Sequence, residues 1–239
     1  MTGELHGAAT FERNGERGRK PVSLSVAGEA ITLLPERATW WPARSTLLVA
    51  DLHLGKEETF LECGIPMPRA VLDETLARLG RLVASHCARR VVVVGDLVHA
   101  RRGMTRDLVE RVAAWRGTVD CVIELALGNH DRRVEIPGAW NVQVRVDDGA
   151  DGPFVYRHEP PEGAAVPAPG EFTWCGHIHP TVRLGGGVDR LVLPCFVVGH
   201  HRAILPAFTA FSRGPSVPAL VGDRVFAVAE GHVAEVRGA

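Results

Sequence analysis

The chain has 239 residues, 46% hydrophobic and 23% charged, with a formal net charge of −1 and a pI near 6.8. That is enough for one large domain or two small ones of ordinary soluble composition. It excludes a protein that coats nucleic acid through bulk charge, and no apolar stretch approaches the roughly 18 residues of a bilayer span.

The first twenty residues are glycine- and charge-rich, lack the apolar centre of a secretory signal, and are expected to form a mobile arm. A single domain over residues 21–239 is expected to follow, since neither an internal repeat nor a domain boundary shows in the sequence. Residues 22–26 and 30–34 flank Gly28-Glu29 and predict a hairpin; 39–41 predict another short strand, and 47–50 a buried one. Residues 54–63 read as a polar, helical insertion closed by Gly64-Ile65-Pro66-Met67-Pro68. Val71, Leu72, Leu76, Leu79, Leu82 and Val83 recur at helical spacing within 69–86. The run of valines at 91–94 suits a strand buried on both faces. A second amphipathic helix is predicted over 105–116, followed by a strand that ends at Leu127. Beyond Val134 come short strands, Gly-Pro-rich loops at 159–170 and 212–218, and a closing hairpin formed by 225–229 and 232–236. The reading is one layered α/β domain whose second half is mainly β.

Five cysteines, at 63, 87, 121, 175 and 195, form no CxxC pair and are odd in number. Their mostly apolar neighbours predict buried free thiols in a reducing compartment, the cytoplasm by default.

Five polar clusters fall in order along the chain: Asp51-Leu52-His53, Gly95-Asp96-Leu97-Val98-His99, Gly128-Asn129-His130-Asp131, His158 and Gly176-His177-Ile178-His179. Nearly all follow an apolar run, and strands that end in such groups deliver them to one edge of a sheet, where ligands bind in open α/β folds. Asp51 and His53 pair a carboxylate with an imidazole, a set suited to Mn²⁺, Fe²⁺ or Zn²⁺; a capping Asp beside a surface His explains the same two residues. Asp96 follows Gly95, where backbone approaches a ligand most easily, and a carboxylate can bridge two cations roughly 3.5–4 Å apart; a plain turn at a strand end is the alternative. His99 is expected to hydrogen-bond to a ligand or touch substrate, or to be a partly buried histidine.

Gly128-Asn129-His130-Asp131 is the most specific cluster. Asn129 can bind a metal through its amide oxygen without adding charge. His130 is suited to donate a proton or hydrogen bond to a phosphate, with Asp131 expected to orient its imidazole and keep it protonated; a loop built on an Asx turn is the bland reading. His177 and His179 share one face, and His158 is preferred on order and spacing over its rivals His200 and His201. Together, two carboxylates, one amide and four imidazoles supply two cations with about four ligands each if Asp96 is shared. Two cations depress the pKa of a bridging water, and the resulting hydroxide is expected to attack phosphorus in line while His130 assists the leaving oxygen.

In these residues the chain resembles the calcineurin-like metallophosphoesterases, whose series is DxH, GDxxH or GDxxD, GNHD or GNHE, a lone His and GHxH. The resemblance implies a four-layer α/β/β/α sandwich with a dinuclear site at a sheet edge. Asp51, His53, Asp96 and His179 would hold one metal, and Asp96, Asn129, His158 and His177 the other. His130 would be the catalytic acid or phosphate contact, with Asp131 as its partner. Ala50-Asp51-Leu52-His53-Leu54-Gly55-Lys56-Glu57, Gly64-Ile65-Pro66, Gly95-Asp96-Leu97-Val98-His99 and Leu205-Pro206-Ala207-Phe208 are similar to the bacterial ligase-associated DNA damage response endonuclease branch. Residues 209–213 lack the glycines expected after that last segment, so the C-terminal match is looser. The branch implies two Mn²⁺ ions and a phosphodiesterase acting on DNA, single-stranded or flexible, in DNA repair. It also implies functional association with DNA ligase and helicase, a homodimer, and no membrane. Lys56, Arg101, Arg102, Arg132 and Arg202 lie near the clusters in sequence and are candidate phosphate contacts, each with a solvated surface role as the alternative. A phosphoesterase of nucleotides and other small molecules is the other enzymatic reading, supported by the neutral pI. A scaffold that has lost catalysis is the third, opposed by the retained His130.

Overall fold

Four consecutive valines set the layering. In the computed structural model, Val91 and Val93 face one core, shared with helices, and Val92 and Val94 face a second, shared with another sheet. All four are fully buried, as a strand covered on both faces requires. The structure describes residues 20–65, 67–68, 70–145, 150–161, 170–185, 190–212, 214–216, 221–229 and 231–236. The expected arm lies outside these residues apart from Lys20, as do parts of the two Gly-Pro-rich loops.

The first sheet has the order β1-β2-β3-β4-β5-β6-β7. Its strands are β1 (Val22–Val26), β2 (Glu29–Leu34), β3 (Ala38–Trp41), β4 (Thr46–Val49), β5 (Arg90–Val94), β6 (Val122–Ala126) and β7 (Val142–Arg145). β1 to β4 are antiparallel neighbours, while β4, β5, β6 and β7 run parallel. Short α1 (Lys56–Glu62) follows β4, and α2 (Ala70–His86) completes the crossover to β5. α3 (Arg106–Arg116) links β5 to β6, its first turn capped by Thr105 Oγ1 accepting from the Leu108 amide. The apolar stripe Leu72, Leu76, Leu79, Leu82 of α2 and Leu108 and Val112 of α3 pack on Leu47, Val49, Ile123 and Leu125. Each such side chain is worth roughly 1.5–3 kcal/mol on burial.

The second sheet is built from β8 (Phe154–Tyr156), β9 (Phe172–Cys175), β11 (Leu191–Val198), β12 (Arg202–Ile204), β13 (Arg224–Ala229) and β14 (His232–Val236), with β10 (Thr181–Leu184) paired to β11. β8, β9 and β12 are parallel, so their C-terminal ends open on the same side. The core between the sheets joins Leu48, Ala50, Val92 and Val94 to Phe154, Tyr156, Trp174, Phe196 and Phe226. Two packed mixed sheets in an α/β fold are thus as expected, while the outer face of the second sheet, where the four-layer α/β/β/α arrangement calls for helices, carries β10 among the described residues. Among the described residues, all three α-helices lie in the first half of the chain, where α2 and α3 cover the first sheet. The other face of the second sheet gathers Cys175, Cys195, Val197, Ile204 and Val225 around Val182 of β10. No helix of the described residues is long and apolar enough to cross a membrane.

The cysteine expectation needs correction. Cys121, Cys175 and Cys195 are buried, but Cys63 and Cys87 are exposed, because both stand just past helix ends rather than on an inward stripe.

Candidate metal centre

Parallel register aligns the polar clusters. Val49 pairs with Val93 and Val94 with Ala126, so Asp51, Asp96 and Asn129 all emerge just beyond the C-terminal ends of neighbouring strands. In the second sheet Tyr156 pairs with Trp174, and the Gly176 amide donates to the His158 carbonyl at 3.0 Å. The loops after β4 and β5 are laced together: the amides of Asp51, His53 and Leu54 donate to the carbonyls of Gly95, Asp96 and Leu97 at 3.1, 2.9 and 2.8 Å.

Five of the ten non-glycine residues with positive φ among those described are Asp51, His53, Asp96, His177 and His179, at φ 56, 50, 49, 68 and 50. Left-handed backbone is costly for side-chain-bearing residues and clusters at functional sites. These turns aim five candidate ligands inward. The motif glycines admit the same crowding: a Cβ on Gly95 would lie 2.0 Å from His158 Nδ1, and one on Gly128 would lie 2.2 Å from Asp96 Oδ1.

Asp51, His53, Asp96 and His158 form a buried floor, at 0, 4, 3 and 5% exposure, while His130 and His179 are partly exposed and Asn129 and His177 exposed at the rim. Two donor groups meet there. Asp51, His53 and His179 form one, with His179 Nε2 3.3 Å from Asp51 Oδ1 and 3.2 Å from His53 Nε2. Asp96, His158 and His177 form the other. In it His158 Nε2 lies 3.3 Å from Asp96 Oδ2, 3.2 Å from His177 Nδ1 and 3.0 Å from Asn129 Oδ1. Asp96 Oδ1 accepts the His130 amide at 3.0 Å. Its Oδ2 stands 3.3 Å from His158 and 3.9 Å from His53, so this one carboxylate faces both groups.

The donor set fits divalent cations. Ligands bound at about 2.1 Å are separated by roughly 3.0–3.5 Å, which is the spacing found here. Every ion pair of Asp51 and Asp96 among the described residues is to a histidine. Two buried carboxylates without a lysine or arginine partner need positive charge from elsewhere. Burial pushes the His53 pKa down to about 2 against the pull of Asp96, leaving the neutral imidazole that metal ligation requires. Burial alone would lower His158 and raise Asp96; facing each other they do the reverse, His158 held high and Asp96 low.

All seven expected ligands therefore lie together, His158 among them, while His200 and His201 lie against each other elsewhere, ring centroids 6.4 Å apart. His130 stands beside both groups, Nε2 3.8 Å from Asp96 Oδ2, and its Nδ1 donates to the His99 carbonyl. His99 links His53 to His130, its Nδ1 3.4 Å from His53 Nδ1 and its ring stacked on His130, and these three histidines form a further donor cluster. Burial, with Lys56 and His130 adding to it, lowers the His99 pKa to about 4.

Three expectations are corrected by the geometry. Asp131 does not hold the His130 imidazole: its buried carboxylate accepts the amides of Val98 at 3.0 Å and Gly128 at 2.9 Å, tying the loops after β5 and β6 together. Arg202 starts β12 in register with Thr173, away from the strand ends that open on the site, and pairs with Asp223 at 3.3 Å. Lys56 is engaged with the loop after β12, donating to the Phe211 carbonyl at 3.0 Å and Ser212 Oγ at 2.7 Å. That loop is further held by Arg37 on the Thr209 carbonyl at 2.8 Å, by Arg78 on the Phe208 carbonyl, and by the Phe208 amide on the Ala50 carbonyl at 2.8 Å. Arg133 was missed. It lines a cleft beside His130 that Arg132 does not line. The relation depends on the local structure: in the 3-10 turn Asp131–Arg133, side chains at i and i+3 eclipse, so His130 and Arg133 share a face.

Fold and donor set together define a metallophosphoesterase, a metal-dependent phosphoesterase, and the chain belongs to that family. It is similar to the crystal structure of the nuclease MPE of Pseudomonas putida, with 32% sequence identity and a TM-score of 0.77 over 91% of this chain and 100% of that one. A phosphoesterase of E. coli, Yfce, aligns at 14% identity and a TM-score of 0.41 over 80% of this chain and 97% of that one, too remote to carry an argument. Neither a family model nor a curated protein matches the chain.

Proposed function

We propose that the protein is a Mn²⁺-dependent phosphodiesterase that cuts DNA, single-stranded or flexible, in the service of repair. The observation that carries the phosphoesterase chemistry is the shared carboxylate Asp96, with Oδ2 facing His53 and His158 from two donor groups. The choice of DNA is supported by likeness to a relative whose structure is described as a nuclease.

Asp51, His53, Asp96 and His179 would hold one divalent cation, and Asp96, Asn129, His158 and His177 the other. A cation pair in such a site supplies acidified water and neutralises phosphate charge. The chain's own contribution is orientation and proton handling. The His99 carbonyl occupies His130 Nδ1, so Nε2 is the nitrogen left to donate a proton to the leaving oxygen. Its partly exposed position at the rim suits a group that must reach substrate.

Incubation of the purified protein with Mn²⁺ and circular single-stranded DNA tests this reading; nicking to linear and shorter products is expected. Hydrolysis of a small phosphodiester with DNA left intact would sink it and favour the small-molecule alternative.

A further inference from the structure

The cleft beside His130 has a volume of about 390 Å³ and is lined by His99, Asn129, His130 and three arginines, Arg101, Arg102 and Arg133, with Ala100 and Val134. No carboxylate lines it. All three arginines are exposed, and among the described residues none of them forms an ion pair. Three arginines without a carboxylate partner thus line one concavity of a chain whose net charge is −1, Arg102 also donating to Cys63 Sγ at 3.8 Å. They focus a positive field where the overall charge supplies none.

The mount is rigid. Arg101 and Arg102 sit on the 3-10 turn Arg101–Gly103, whose Gly103 presses on the start of α1 so closely that a Cβ there would lie 2.1 Å from the Gly55 carbonyl oxygen. Arg133 ends the 3-10 turn Asp131–Arg133 that follows His130. Guanidinium forks pair well with phosphate oxygens, and the cleft is large enough for a nucleotide-sized group.

We propose that Arg101, Arg102 and Arg133 bind the phosphates that flank the scissile bond on the His130 side, so that the enzyme selects a phosphodiester chain over an isolated ester. The inference rests on the phosphodiesterase reading and deepens it by assigning how the polyanion is held. These arginines position substrate; the chemistry stays with the donor groups and His130.

The test compares the wild-type protein with Arg101→Ala/Arg133→Ala and with an Arg106→Ala control, which removes one positive charge from the exposed face of α3. Binding of a fluorescein-labelled single-stranded oligonucleotide is first read by anisotropy in EDTA, independently of turnover. The double variant is expected to bind about tenfold more weakly or worse, with the slope of log K against log salt reduced by about 1.4, roughly 0.7 for each phosphate contact to a single strand, while the control stays near wild type. Hydrolysis of bis(p-nitrophenyl) phosphate with Mn²⁺, a diester without flanking phosphates, is expected to fall by a much smaller factor than oligonucleotide binding. Unchanged oligonucleotide binding overturns the assignment, and so does an equal fall on both substrates. Arginine-dependent binding without cleavage would end the DNA-cutting reading but keep the cleft; cleavage indifferent to the arginines would do the opposite.

Discussion

The imidazole of His130 lies over that of His99, ring centroids 5.3 Å apart and planes 18° from parallel, and its Nδ1 donates to the His99 carbonyl. Nε2 is thereby held toward Asp96 and the cleft. Replacing His130 with Ala removes a group placed to transfer a proton, and such groups contribute roughly 10²–10⁴-fold. The expected result is a kcat lower by about that factor, with Mn²⁺ stoichiometry intact when measured by elemental analysis. Unchanged turnover would show that this histidine is a bystander.

Asp131 makes a separable prediction. Its carboxylate serves the amides of Val98 and Gly128, so Asp131→Ala leaves two buried N–H groups unpaired, each costing about 1–3 kcal/mol. Thermal unfolding should shift down by several degrees. The pH profile of residual activity should keep the wild-type shape, since the carboxylate does not touch the His130 ring. A displaced limb in that profile would restore the carboxylate–imidazole pair expected from sequence order.

That contrast marks what the sequence made legible. Runs such as residues 91–94, and the polar clusters that follow them, reveal both the strands and the seven donors, because strand ends and short spacings are local facts. The partner of Asp131 is not local: it is chosen by how the loop after β5 folds over the loop after β6. Arg202 was a candidate by its nearness in sequence, yet strand direction places it at the end of β12 away from the site. The positive φ angles at Asp51, His53, Asp96, His177 and His179 carry no sequence mark, since none of these positions is itself a glycine. Arg133 was legible only once its turn was known to be a 3-10 helix.

Close approach at Gly95 gives a prediction about metal rather than fold. A Cβ there would overlap His158 Nδ1 at 2.0 Å, and the ring has no slack, because Nε2 is committed toward Asp96 and Asn129. Gly95→Ala should therefore displace His158 and weaken the second cation site by at least tenfold, while the Asp51, His53 and His179 group is retained. Calorimetric titration with Mn²⁺ is expected to show one binding event where the wild type shows two. Two unaltered events would mean that His158 is dispensable as a ligand.

The histidines also fix how stability depends on pH when metal is removed. In the folded chain burial lowers His53 to about 2 and His99 to about 4, whereas unfolded histidines titrate near 6.5. Below about 6.5 the unfolded state binds more protons, so these two groups reduce stability as pH falls toward 4. His158 is shifted the other way, burial being outweighed by Asp96. Its contribution is fully present below about 6.5 and is lost as pH rises through its raised folded pKa. In EDTA the two effects together predict a maximum in Tm near pH 6.5, with a decline on both sides. With Mn²⁺ the alkaline side should turn upward, because cations bind deprotonated ligands and stabilise the state that binds them. Differential scanning fluorimetry from pH 4.5 to 8.5, with and without metal, reads both limbs. A metal-free Tm at pH 5 as high as at pH 6.5 would contradict the neutral, buried state assigned to His53 and His99.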